Sequence, residues 1–130
     1  MGDAPRHLFV YGTLRPCLAG AEQQRLLAGL MAVGPATVPG LLYDLGPYPA
    51  LVAGPGMVYG DLYLVSDERQ LAALDAYEEC GGDRPLYRRQ ATVATRPDGS
   101  TVAAWAYFYE RSLAAATVVA SGDYSKEDRL

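Results

Sequence analysis

Two strand-like runs, residues 87–95 and 101–109, flank Arg96-Pro97-Asp98-Gly99-Ser100, and the Asp-Gly pair between them is a strong short-range turn signal. The spacing predicts a β-hairpin. Along its second strand Val102, Ala104, Ala106 and Phe108 alternate with Trp105, Tyr107 and Tyr109, so both faces are apolar and both need cover. Residues 7–11 are also strand-like, and Gly12, free to adopt backbone angles closed to other residues, is expected to end that strand sharply. A turn through Tyr11, Gly12, Thr13 and Leu14 leaves several N–H groups without ladder partners, which can form an anion or oxyanion site. An ordinary strand-ending turn fits the same residues.

The rest of the chain divides at its glycines and prolines. Leucines at 26, 27 and 30 predict a short amphipathic helix within 20–31. Pro35, Pro39 and Gly40 split 33–45 into two extended pieces, and the proline- and glycine-rich segment 46–56 reads as a loop. Residues 57–65 form a strand with Val58, Gly60, Leu62 and Leu64 on one face and Met57, Tyr59, Asp61, Tyr63 and Val65 on the other. Ser66 or Asp67 caps a helix running to about Glu79. Its apolar arc is Leu71, Leu74 and Tyr77, which encloses Glu78 and leaves Asp75 and Glu79 on a solvated outer side. A loop follows over 81–85. Residues 111–120 suit helix or strand equally, and Ser121-Gly122-Asp123-Tyr124 forms a turn before a polar tail expected to fray.

Length and composition restrict what such a chain does. Its 130 residues make one domain, 1–130, large enough for a core without staples. A net charge of -4, with Lys126 the single lysine and only Arg88 and Arg89 adjacent among the arginines, excludes a nucleic-acid footprint. Cys17 and Cys80 are too few for a metal knuckle or redox pair, and His7 is the sole histidine, so no metal site is expected. The lack of a GxSxG elbow, a phosphate-cradling loop, a signal peptide or a long apolar run points to a cytoplasmic protein with reduced thiols, outside any membrane.

Glu78 has two readings. A helix-end carboxylate paired with Arg88 or Arg89 is one; a buried general acid/base, its pKa raised by apolar surroundings, is the other. The ten tyrosines, against two phenylalanines, require polar partners for their hydroxyls. Tyr87 and Tyr107 are the two placed nearest a ligand, although packing is the commoner role for such rings.

Taken together, Phe9-Val10-Tyr11-Gly12-Thr13-Leu14-Arg15-Pro16 and Leu74-Asp75-Ala76-Tyr77-Glu78, with Tyr87-Arg88-Arg89, resemble the signature segments of the γ-glutamylcyclotransferase-like (AIG2-like, YtfP-like) family. Segments 40–46, 48–51, 58–63 and 121–124 follow that family's pattern in the same order. The resemblance implies an α+β fold in which a mixed, barrel-like sheet and flanking short helices enclose a cavity. It also implies Glu78 as catalytic acid/base, the backbone of Tyr11, Gly12, Thr13 and Leu14 as the γ-glutamyl-binding loop, and Tyr87 and Tyr107 as pocket-lining residues. The implied reaction is attack of the α-amine of a γ-glutamyl amide on its own γ-carbonyl, releasing 5-oxoproline and an amine, with no cofactor and with a small-molecule γ-glutamyl substrate as partner. A non-catalytic small-molecule-binding protein with the same cavity is the alternative. Cys17 and Glu79 stand where the family usually has glycine, Asp61 replaces a glutamate and Tyr124 a tryptophan.

Overall fold

Strand pairing closes on itself in this chain. The computed structural model describes residues 5–12, 21–45, 49–77, 86–113 and 116–124. In order these form β1 (His7–Val10), α1 (Ala21–Leu27), β2 (Met31–Asp44), β3 (Pro49–Leu64), α2 (Glu68–Tyr77), β4 (Tyr87–Thr95), β5 (Thr101–Tyr109) and β6 (Thr117–Val118). The strand order is β3-β1-β5-β4-β2-β6, and an additional β2–β3 pairing joins the first five into a ring. Only β1 and β5 run parallel; the other pairs are antiparallel, so the sheet is mixed and barrel-like, as the resemblance implies.

The expected hairpin is β4–β5, in register from Tyr87 opposite Tyr109 to Thr95 opposite Thr101. Its turn closes with Gly99 N–H donating to Arg96 O at 2.9 Å and Arg96 N–H to Ser100 O at 2.8 Å. Asp98 Oδ1 accepts from the Ser100 amide at 2.9 Å and hydroxyl at 2.6 Å. Those bonds hold the Asp98 carboxyl below its usual range.

Two expectations are corrected. Residues 33–45 are not two pieces but most of one strand, β2, which bends at register shifts between Ala32 and Gly34 and between Pro39 and Leu41. The prolines sit beside these irregularities, where a missing N–H costs least. Nor is 49–56 a loop: it is the first half of β3, with Leu41 opposite Val52 and Asp44 opposite Pro49. Long-range pairing and the full burial of Ala50 and Leu51 outweigh the local preference of proline and glycine for turns. Gly40, at φ 153°, makes the second bend possible, since a Cβ there would meet Val52 O at 2.8 Å.

Alternation along the strands separates two cores. Phe9, Tyr11, Val38, Leu51, Val58 and Leu62 fill the barrel with the small side chains of Ala94, Ala104 and Ala106. Leu8, Val10, Tyr63, Tyr87 and Tyr107 point the other way and pack with Leu27 of α1 and Leu74 of α2. The start of α2 is set locally: Asp67 Oδ1 accepts from Arg69 N–H at 2.8 Å, and Gln70 Oε1 accepts from Asp67 N–H at 3.2 Å. Gln70 also donates to Gly29 O at 2.5 Å, tying α2 to the segment after α1. At the other end of the chain, residues 117–118 are extended and pair with Tyr43 and Asp44. The 121–124 turn follows, with Gly122 O accepting from Tyr59 N–H at 2.8 Å and Tyr124 buried in the barrel core. The tail from 125 lies outside the described residues.

Gly40→Ala is expected to lower unfolding free energy by about 2 kcal/mol or more, through backbone strain and contact with Val52, measurable by urea denaturation. Burial, and then Arg96, whose Nη2 lies 3.5 Å from His7 Nε2, hold the His7 pKa below its ordinary value. The unfolded chain therefore binds a proton that the folded one resists, and stability should fall as pH drops below about 6.5. His7→Gln should flatten that part of a stability–pH profile.

Candidate functional site

β1 delivers Tyr11 and Gly12 to the mouth of the barrel. Tyr11 points inward, its ring stacked 6.4 Å from Phe9. Its hydroxyl donates to Tyr107 O at 2.6 Å and accepts from Leu51 N–H at 3.3 Å, joining β1, β5 and β3 through one oxygen. Gly12 is required for a different reason from the one expected. Its φ is outside the left-handed region, but a Cβ would lie 2.8 Å from Pro49 Cγ, so the close approach that glycine permits is that of the Pro49 ring. Thr13 and Leu14, the rest of the expected loop, lie outside the described residues, as do Glu78, Cys17, Cys80 and the 81–85 segment.

Tyr87 and Tyr107 come from facing strands of the hairpin, and both are buried. Tyr87 packs edge-on against Tyr109 at 5.5 Å and donates its hydroxyl to Pro49 O at 2.6 Å. Tyr107 donates its hydroxyl to Asp75 Oδ1 at 2.7 Å. The structure thus brings Tyr11, Gly12, Tyr87 and Tyr107 together around the start of β3 and the last turn of α2.

Asp75 departs from the sequence reading, which placed it on a solvated helix face. It is part-buried and forms a two-pronged ion pair with Arg89, Nε to Oδ1 at 2.8 Å and Nη2 to Oδ2 at 3.1 Å. The guanidinium lies 4.4 Å from the centroid of the Trp105 ring. Asp75 is four residues beyond the buried Leu71, which places it on the helix face that meets the sheet. That spacing was available in the sequence; the position of Arg89 opposite it was not. Arg88, the other partner considered for Glu78, pairs with Glu110 at 2.7 Å, while Glu78 lies outside the described residues.

A cleft of about 840 Å³ runs beside α2, bordered by Leu71, Asp75, Arg89 and Trp105 and by segments 5–6 and 64–68. Tyr11, Gly12, Tyr87 and Tyr107 do not line it, and Asp75, which accepts from the Tyr107 hydroxyl, borders both the cleft and the tyrosine cluster. Among the described residues no group of three His, Cys, Asp or Glu side chains is placed to hold a metal ion. No described helix is long and apolar enough to cross a membrane.

A closed mixed barrel flanked by two short helices, with Tyr11 and Gly12 against β3 and the last turn of α2 tied to β5, is the γ-glutamylcyclotransferase-like fold. The model of the AIG2-like γ-glutamyl cyclotransferase family matches residues 8–126, and the chain belongs to that family. A Vibrio cholerae relative is 40% identical over 122 residues, covering 92% of this chain and 96% of its own. The solution NMR structure of YtfP from Escherichia coli superposes with a TM-score of 0.67 at 32% identity, covering 92% of this chain and 96% of that one. The bovine γ-glutamylaminecyclotransferase is 38% identical over 86 residues, 56% of this chain and 48% of the bovine protein. Family membership supports a γ-glutamylcyclotransferase-like enzyme.

Tyr11→Phe removes the hydroxyl that joins three strands and is expected to cost about 1–3 kcal/mol of stability by chemical denaturation. Tyr59→Phe, on an exposed ring, should stay within about 0.5 kcal/mol of wild type in the same measurement.

Proposed function

We propose that this chain cleaves a γ-glutamyl amide or amine by intramolecular cyclisation, with Glu78 as general acid/base. The observation that carries the reading is the double use of Tyr107: its main-chain oxygen holds Tyr11 at the strand-one turn, and its hydroxyl holds Asp75 in the last turn of α2. Two separated segments with the family's signature are braced to one strand residue, and Glu78 follows Tyr77, the last residue of α2. The name of the bovine relative supports an amine as the leaving group.

In this reaction the α-amine attacks its own γ-carbonyl, forming the C–N bond of the five-membered ring while the bond to the departing amine breaks. Proximity is built into the substrate, so the protein's part is to fold it and to move protons. Glu78 takes a proton from the α-ammonium and returns one to the leaving nitrogen. Main-chain N–H groups of residues 11–14 hold the substrate carboxylate or the oxyanion that develops on the γ-carbonyl oxygen. The rings of Tyr87 and Tyr107 border the substrate, their hydroxyl protons committed to Pro49 and Asp75. The ring closure needs no metal or organic cofactor, and a cytoplasmic γ-glutamyl metabolite is the partner. The amine half is selected by the segments around 46–48 and 80–86.

Incubation with a panel of γ-glutamyl amines and dipeptides, read by mass spectrometry, should yield 5-oxoproline from at least one of them. Glu78→Gln should reduce that release by about 10²–10⁴-fold while leaving the fold and ligand binding in place. Full activity in the variant would overturn the assignment of Glu78; no release from any compound would favour a non-catalytic binding protein.

A further inference from the structure

We propose that Asp75 is a positioning residue which, clamped by Arg89 and Tyr107, fixes the last turn of α2 (Glu68–Tyr77) against β5; the inference rests on the role of Glu78 proposed above. An aspartate in the last turn of a helix is locally unfavourable: its helix propensity is low, and its charge opposes the negative end of the helix dipole. No basic residue in that turn offsets it. The compensation is tertiary, from Arg89 and Tyr107 on the hairpin, through three hydrogen bonds to one carboxylate.

The geometry of the clamp argues for orientation more than for stability. A part-buried ion pair adds little net stability compared with apolar packing, whereas a two-pronged guanidinium–carboxylate contact fixes direction as well as distance. Arg89 is itself in contact with Trp105, its Cζ over the ring at 4.4 Å from the centroid. A helix of 10 residues is too short to keep its ends ordered alone. Its first turn is fixed by Asp67 and by the Gln70 contact with Gly29, and Asp75 is the corresponding tie near its end.

Tyr107 makes this tie relevant to chemistry. Because the same residue holds Tyr11 through its carbonyl, the clamp sets the end of α2 relative to the strand-one turn, the other half of the proposed site. An error of about 1 Å between a proton-transfer group and its substrate costs on the order of 10²-fold in rate. Loss of the clamp should therefore lower kcat and leave KM nearly unchanged.

The test compares Asp75→Asn, Tyr107→Phe and, as a control on the exposed Arg88–Glu110 pair, Arg88→Gln, by steady-state 5-oxoproline release and by hydrogen exchange. Asp75→Asn should lower kcat by roughly 30-fold or more and Tyr107→Phe by about 10-fold, with KM within about threefold, while Arg88→Gln matches wild type. Amide exchange over 73–79 should rise about 10-fold or more in both clamp variants and stay unchanged over 66–72. A rise in KM with unchanged kcat would overturn the inference and make Tyr107 a simple pocket wall. Unchanged exchange over 73–79 would overturn it as well, and that readout holds even if wild type releases no 5-oxoproline, which would refute the enzyme reading separately. Should Asp75→Asn fail to fold, Tyr107→Phe, which keeps the ring, decides alone.

Discussion

Closure of five strands into a narrow ring is the constraint on which the other features of this protein depend. It happens because β2 and β3 are long and bent, so that β2 reaches β4 as well as β3. A ring of so few strands has little interior volume, and its inward positions on β4 and β5 are largely alanine. Larger rings on β5 are therefore carried on the outer face, beneath the two helices. Tyr63, Tyr87, Tyr107 and Tyr109 belong to that outer layer, where polar groups of neighbouring segments remain within reach.

Tyrosine hydroxyls then serve as bolts between elements. Tyr11 joins β1, β3 and β5; Tyr87 joins β4 to the start of β3; Tyr107 joins β5 to α2. Each pairs a buried ring with a satisfied polar tip, so apolar burial and direction are supplied by the same side chain. Tyr11, just after β1, and Asp75, in the last turn of α2, are distant in sequence, yet both are bonded to Tyr107. A site assembled from such segments needs a common reference of this kind if its groups are to meet at fixed separations.

Local signals made some of this legible. The Asp-Gly hairpin, the strand at 57–65, the Asp67 cap and the alternation of β5 all follow from chemistry confined to a few neighbouring residues. Segments 33–45 and 49–56 differ from their local signals for the opposite reason. Their prolines and glycines favour turns locally, while the pairing and burial that make them strands come from residues elsewhere in the chain. The burial of Asp75 is hidden from local signals in the same way, since its partners Arg89 and Tyr107 lie on a hairpin whose position against α2 is a tertiary fact.

By itself, the sequence determined the family, through ordered segments that the family match over 8–126 bears out, and with it the class of fold and of chemistry. It also determined which residue types are available at the two signature segments. Tertiary structure alone decided why Gly12 must be glycine, because Pro49 occupies the space of a side chain there, and that Arg89 meets Asp75. Both are contacts between residues that no local rule brings together; they exist only once the ring has closed and α2 has been laid against it.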